Sequence, residues 1–346
     1  MVKIKSIFPT DKNEIDLVKF INTYQYLSPK DLPYFFNTTY YPKRIAKLIQ
    51  NNILRRYKRF LVLGEDGYNF MKILGLETNK LRYQEKYANR LKFMSHLAAY
   101  FRYSNVTFTP SFLIKDKTAF TESSRKYIGV SNIFGTKYLT YHISNEHTDK
   151  YLNSVIYDLQ KELKYKNVII MIDDITRIDF LKFSFGLNSV IICGDTDKAL
   201  DKIKYLQQIN WTKVVQAEFK EKLTLSEFNF CDYTNNKNLY VSCFYFVDTE
   251  KINRISTFMQ NNTNKKVDII CPKSIVKYLG SELATCNFHL IDIDKFIEKE
   301  INFKGGICHG NKSNAKKSKK FIFIRNVSNG TDFRSSNSIF IYSIDE

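Results

Sequence analysis

Little in this sequence breaks or cross-links a fold. Glycine and proline number only 12 and 6 in 346 residues, too few for a disordered or collagen-like chain. The six cysteines (Cys193, Cys231, Cys243, Cys271, Cys286 and Cys308) form no CxxC pair and follow no signal peptide. That pattern argues against a zinc finger and for a reducing, cytoplasmic setting. No apolar run approaches the roughly 20 residues that cross a bilayer, so no membrane partner is expected. Acids are also scarce: 35 Asp and Glu face 53 Lys and Arg, a formal charge of +18.

What is present is a core-forming chain, with 44% hydrophobic and 15% aromatic residues. Its length suits one small domain and one larger one. A basic balance points to polyanionic partners, but a Lys/Asn/Ile/Tyr bias raises charge regardless of partner, so its position matters more than its total. Residues 1–110 hold 19 basic against 8 acidic side chains, a surplus of +11, leaving +7 for the other 236 residues. The charge is concentrated near the N-terminus.

Residues 14–26 space Ile15, Val18, Ile21 and Tyr24 as an amphipathic helix. Ser28-Pro29 then starts a short helix over about 29–36, where Pro suits the first helical position. A polar turn at Asn37–Thr39 leads to a third helix over 41–52, with Ile45, Leu48 and Ile49 inward and Lys43, Arg44 and Lys47 on the other face. Residues 53–63 read as a basic hairpin, Gly64–Gly67 as a turn and 68–76 as a short closing helix. Helix, short helix, basic helix, basic hairpin is the order of a winged helix-turn-helix, assigned to residues 1–76. A helix over 79–102 serves as connector within 77–110.

From residue 111 to 346 the pattern is α/β with a mixed sheet. Strands are expected at 127–134, 137–143, 168–172, 189–193, 239–247, 267–271, 288–293, 321–325 and 338–342, and helices at 149–164, 175–183, 197–208 and 249–260. Residues 312–320 read as an exposed basic loop.

Between Asn37 and Phe60 stand seven Lys or Arg and no acid. The start of a recognition helix faces base edges while basic side chains hold phosphates. Thr38, Thr39, Tyr40 and Tyr41 occupy that start, with Lys43, Arg44 and Lys47 set for base or phosphate contact. Arg55, Arg56, Lys58 and Arg59 would track the backbone or enter the minor groove from the wing. The expected partner is double-stranded DNA, bound by a homodimer on paired half-sites. A solvated basic face on a protein-binding winged helix is the competing reading.

The run LSPKDLPYFF, then KRIAKLIQNNILRRYKRFLVLGEDGYNFMKILG, then NRLKFMSHLAAYFR, resembles the replication-relaxation family of plasmids, conjugative elements and phages. The resemblance covers roughly residues 14–102. It implies a winged helix, a connector helix with a mid-helix histidine (His96) and a nuclease-like domain. It also implies a role in replication, in conjugative DNA processing or in their regulation, with replication or conjugation proteins met through the C-terminal domain. A nuclease of that kind needs an Asp on one strand and an acid-x-Lys on the next, to hold a divalent metal. Here the hairpin 127–134 and 138–144 offers His142 and no carboxylate, so a degenerate nuclease fold is expected.

Asp173, Asp174, Asp195 and Asp197 follow apolar strands where α/β sheets place ligands, and they support a rival reading as a metal-dependent nicking enzyme. Helix capping is the simpler role for them. Cys308 and His309, among Gly305, Gly306 and Gly310, find no second pair of ligands. Trp211 reads as core. No catalytic residue, metal or cofactor is expected.

Overall fold

Asp11 opens the first helix because its carboxylate accepts the Asn13 N–H at 2.9 Å, leaving α1 at Lys12–Tyr24. The computed structural model describes residues 8–36, 41–78, 85–103, 106–114, 126–133, 135–161, 165–181, 184–194, 196–206, 211–219, 222–280, 282–291, 320–327 and 340–344. They form a mixed α/β protein in two compact units: Met1–Asp116 with Ile128–Gly135, and Lys117–Tyr127 with Thr136–Glu346.

In the first unit α1 buries Leu17, Val18, Phe20 and Ile21, a 3–4 spaced stripe facing one core. The chain reverses at Gln25 (φ 68°). Leu27 then pairs antiparallel with Leu61, trading N–H to O bonds of 3.0 and 2.9 Å. The short helix expected next is a 3-10 helix, Pro29–Tyr34, with Pro33 inside it; proline has no N–H to give an α-helical bond. Helix α2 spans Tyr41–Gln50, and β1 (Leu54–Tyr57) and β2 (Phe60–Leu63) make a tight hairpin in which Tyr57 faces Phe60.

Helix α3 (Glu65–Ile73) starts earlier than expected, so Gly64–Gly67 is a helix entry and not a turn. Space explains the two glycines. A Cβ on Gly64 would lie 2.0 Å from the Asn52 carbonyl oxygen, and one on Gly67 2.2 Å from that of Ile53. Helix α4 (Glu85–Tyr103) was expected as a connector, and it packs inside this unit. Leu97, Ala99 and Phe101 are wholly buried. Ser95 donates to the Tyr26 carbonyl, His96 Nδ1 lies 2.7 Å from Asp31 Oδ1, and Arg102 pairs with Asp16 at 2.6 Å. Strands β3 (Thr107–Pro110) and β4 (Gly129–Ile133) pair antiparallel beside it.

In the second unit β5 (Thr136–Ile143), β6 (Asn167–Ile172) and β7 (Ser189–Gly194) run parallel, with α5 (Asp149–Leu159) and a 3-10 helix (Ile175–Leu181) in the two crossovers. Val168–Ile172 is buried throughout, as a parallel strand covered on both faces must be. Helices α6 (Thr196–Leu206) and α7 (Trp211–Glu218) follow, then short strands β8 (Thr224–Leu225) and β9 (Tyr233–Thr234).

The single strand expected over 239–247 is two strands in two sheets. Strand β10 (Leu239–Cys243) joins one sheet and β11 (Val247–Asp248) pairs antiparallel with β7 in the other. The switch is fixed by polar bonds: Asp248 caps α8 (Thr249–Asn261) and also accepts from the Val190 N–H at 3.0 Å and from the Ser189 hydroxyl. Strand β12 (Lys266–Pro272), helix α9 (Val276–Leu279), and strands β13 (Asn287–Ile291), β14 (Lys320–Val327) and β15 (Phe340–Ile344) complete the chain. The second sheet runs β15-β14-β13-β12-β10-β9-β8, with β10, β12 and β13 parallel and the outer strands antiparallel, a mixed sheet.

Five cysteines (Cys193, Cys231, Cys243, Cys271, Cys286) are buried free thiols. Burial pushes Cys231 and Cys271 up to about 12, so these are packing groups rather than nucleophiles. Among the described residues no helix is long and apolar enough to cross a membrane.

Candidate nucleic-acid interface

Helix α2 separates its side chains by face. Ile45 and Leu48 are buried and Ile49 half-buried, whereas Lys43, Ala46, Lys47 and Gln50 are exposed. Those four sit at i, i+3, i+4 and i+7, one continuous solvent stripe. The hairpin adds Arg55 and Arg56 on β1 and Lys58 and Arg59 at its tip, all exposed. Arg55 and Arg56 stand opposite the buried Val62 and Leu61. The tip turn places Lys58 at φ 51°, a left-handed conformation that costs a non-glycine residue about 1 kcal/mol.

The tip end of the hairpin, where Tyr57 pairs with Phe60, is packed at Phe60. Phe60 meets Tyr26 edge-on at 6.0 Å, and the Lys92 ammonium lies 4.5 Å from the Phe60 ring centroid. These contacts hold the residue that follows the turn carrying Lys58 and Arg59.

Two residues expected in this surface are held elsewhere. Arg44 turns to α1, 2.9 Å from Asp11 Oδ2 and 3.0 Å from Glu14 Oε1, with its guanidinium carbon 6.0 Å from the Phe36 ring centroid. The hydrogen bond from Arg44 holds the Asp11 carboxyl below the usual carboxylate range. Tyr41 is half-buried and stacks on Phe36 at 6.0 Å. Thr38, Thr39 and Tyr40 lie outside the described residues. Lys43 and Lys47 are thus exposed on α2 and Arg55, Arg56, Lys58 and Arg59 on the hairpin, whereas Arg44 is drawn to α1.

No family model, no curated protein and no solved structure matches the chain.

The acids at the ends of the parallel strands divide. Asp174 accepts from the Thr176 N–H at 2.9 Å and from its hydroxyl at 2.7 Å, closing the turn into the 3-10 helix. Those bonds hold its carboxyl low. Asp197 belongs to the first turn of α6, and Asp195, Cys308 and His309 lie outside the described residues.

Asp173 has a partner the sequence did not suggest. Because Ile143 pairs with Ile172 across β5 and β6, the residues beside that pair meet, and His142 Nε2 lies 3.3 Å from Asp173 Oδ1. His147, stacked on Tyr151 at 3.8 Å, accepts the Ser144 N–H at 2.9 Å. Burial, then the nearby His142 and Arg177, push its imidazole down. Arg177 is held by Asp149 at 3.1 Å. Among the described residues no group of three or more His, Cys, Asp or Glu is arranged to hold a metal.

Proposed function

We propose that this chain is a double-stranded DNA-binding protein and that its first unit works as a winged helix-turn-helix. The observation that carries this is the exposed cationic surface of α2 and the β1–β2 hairpin, six Lys or Arg with no acid between them in sequence. Duplex DNA carries one negative charge per about 1.7 Å of axis, so a concentrated surface of this kind releases counterions on binding.

The connectivity agrees with the reading. A first helix, one strand residue (Leu27), a short helix, a basic helix and a hairpin paired back to that residue is the wiring of a winged helix. In such a domain the second helix of the helix-turn-helix enters the major groove. The resemblance of residues 14–102 to the replication-relaxation family extends this to a mobile-element protein that acts in replication or conjugative DNA processing, or regulates them. It would act in the cytoplasm, as a homodimer on paired half-sites. The second unit then serves as a platform for replication or conjugation proteins, a role separable from its fold.

The test is binding of the full chain to duplex DNA across a salt series, with Lys58→Ala/Arg59→Ala beside it. Expected is affinity that falls steeply with salt, with the slope shallower by about 1.8 in the double variant at about 0.9 per phosphate. Salt-insensitive binding, or none, would end the DNA reading and leave a protein-binding winged helix.

A further inference from the structure

Resting on the DNA-binding reading above, we propose a division of labour within the basic surface. Lys43, Ala46, Lys47 and Gln50 read base edges in the major groove, Lys58 and Arg59 hold backbone phosphates, and Arg44 contacts no base at all.

The stripe on α2 is the observation that separates these roles. At 1.5 Å per residue, Lys43 to Gln50 covers about 10 Å, the length of about three base-pair steps. The opposite face of the helix is committed: Ile45 and Leu48 are in the core and Arg44 is drawn to Asp11 and Glu14. Seating the buried face fixes the rotation of α2, so these four residues, with the exposed Pro42 that has no donor to give, are what it can offer a groove.

Their chemistry defines the sequence class. Lysine donates to guanine O6 and N7, glutamine pairs with adenine N6 and N7, and an alanine methyl packs on the thymine C5-methyl. The target is therefore a short site of mixed content, with guanine opposite Lys43 or Lys47, an A·T pair at Ala46 and adenine opposite Gln50. The hairpin tip carries only cations, at the two turn residues between Tyr57 and Phe60. With α2 seated in the groove, the tip is assigned to the flanking phosphates, contacts that fix register and carry no sequence information.

The experiment selects duplexes from a randomised 20-base-pair library with the full chain. The enriched pool is then bound by Gln50→Ala, Lys47→Ala, Arg44→Ala and Lys58→Ala/Arg59→Ala, with thermal unfolding of each variant as the folding control. Gln50→Ala is expected to lose about ten-fold discrimination at one base pair and leave the salt slope unchanged. Lys58→Ala/Arg59→Ala weakens binding equally for all sequences and makes the slope shallower by about 1.8. Arg44→Ala keeps the preferred sequence.

Two results overturn the division while leaving DNA binding intact: salt-dependent binding with no enriched sequence, or an enriched sequence altered by Arg44→Ala and untouched by Gln50→Ala and Lys47→Ala. Failure of the unmodified chain to retain any duplex overturns the DNA reading itself.

Discussion

The two units use charge in opposite ways. In the first, the cations of α2 and the hairpin lie exposed and of one sign. In the second, the charges near the sheets are largely buried and paired. Lys251 donates to Asp232 at 2.8 Å and to the Cys243 carbonyl at 3.0 Å. Arg254 donates to the Leu187 and Asn188 carbonyls, and Glu250 accepts from Ser184 and Phe185. His289, 6% exposed, sits between Glu218 at 2.8 Å and Asp268 at 3.0 Å. Charges spent inside a fold are unavailable to a partner. The same residue types that hold sheets and helices together in the second unit face solvent along the Lys43–Gln50 stripe and the hairpin of the first.

The sharpest way to break this contrast is His289→Leu, which removes the cation and leaves two buried carboxylates facing one another. The expected loss of unfolding free energy is about 3–5 kcal/mol, read by denaturant unfolding. A loss under about 1 kcal/mol would show that the cluster holds little of the second unit together.

The same cluster sets a pH dependence. Burial pushes the His289 imidazole down, but the hydrogen bonds to Asp268 and Glu218 and their charges outweigh it and lift it to about 9 from its ordinary 6.5. With the folded value above the unfolded one, the stabilisation is fully present below about pH 6.5 and is lost as pH rises through about 9. The difference in stability between the parent chain and His289→Gln should shrink by roughly 3 kcal/mol between pH 6 and 10. A difference that stays constant across that range contradicts the assignment of a buried imidazolium.

In the first unit the largest structural effect belongs to the junction that carries the hairpin. Gly64→Ala places a methyl 2.0 Å from the Asn52 carbonyl oxygen, and backbone on both sides has to move, at roughly 2–3 kcal/mol. Calorimetry reads it. An unchanged midpoint would mean that the chain separates there without strain, and that the hairpin is less firmly held than the glycines imply.

What was legible in the sequence follows from the range of the forces involved. Helices α1 and α2 announce themselves through the 3.6 period, strands β6 and β7 through short apolar runs, and the β1–β2 hairpin through β-favouring residues, all of them local signals. The break within 239–247 does not: Phe244 and Phe246 continue an apolar run, and only Asp248 reaching Ser189 and Val190, nearly sixty residues away, moves Val247 to another sheet. Gly64 and Gly67 carry a turn signal in sequence, but the contact that demands them is with the backbone of Asn52 and Ile53. His142 and Asp173 are 31 residues apart and meet through sheet register. His289 and Glu218 are 71 apart. In the interface, the basic cluster was readable, whereas the orientation of Arg44 depends on Asp11 and Glu14 in a different helix.

Arg44 therefore offers the finest test of the contrast, because it is the cation of α2 that behaves like those of the second unit. Its two ion pairs are partly solvent-exposed, with 32% of the Arg44 side chain accessible, and exposed pairs contribute about 0.2–1 kcal/mol each. Arg44→Ala should cost about 1 kcal/mol in denaturant unfolding and leave the salt slope of duplex binding unchanged. Lys47→Ala, three residues along on the exposed face of α2, should leave stability within about 0.5 kcal/mol and relax the preferred sequence at one base pair. If the two variants exchanged these effects on stability and on sequence preference, Arg44 would be the base contact and Lys47 the structural tie. The rotation of α2 toward DNA would then differ from the one its buried face dictates.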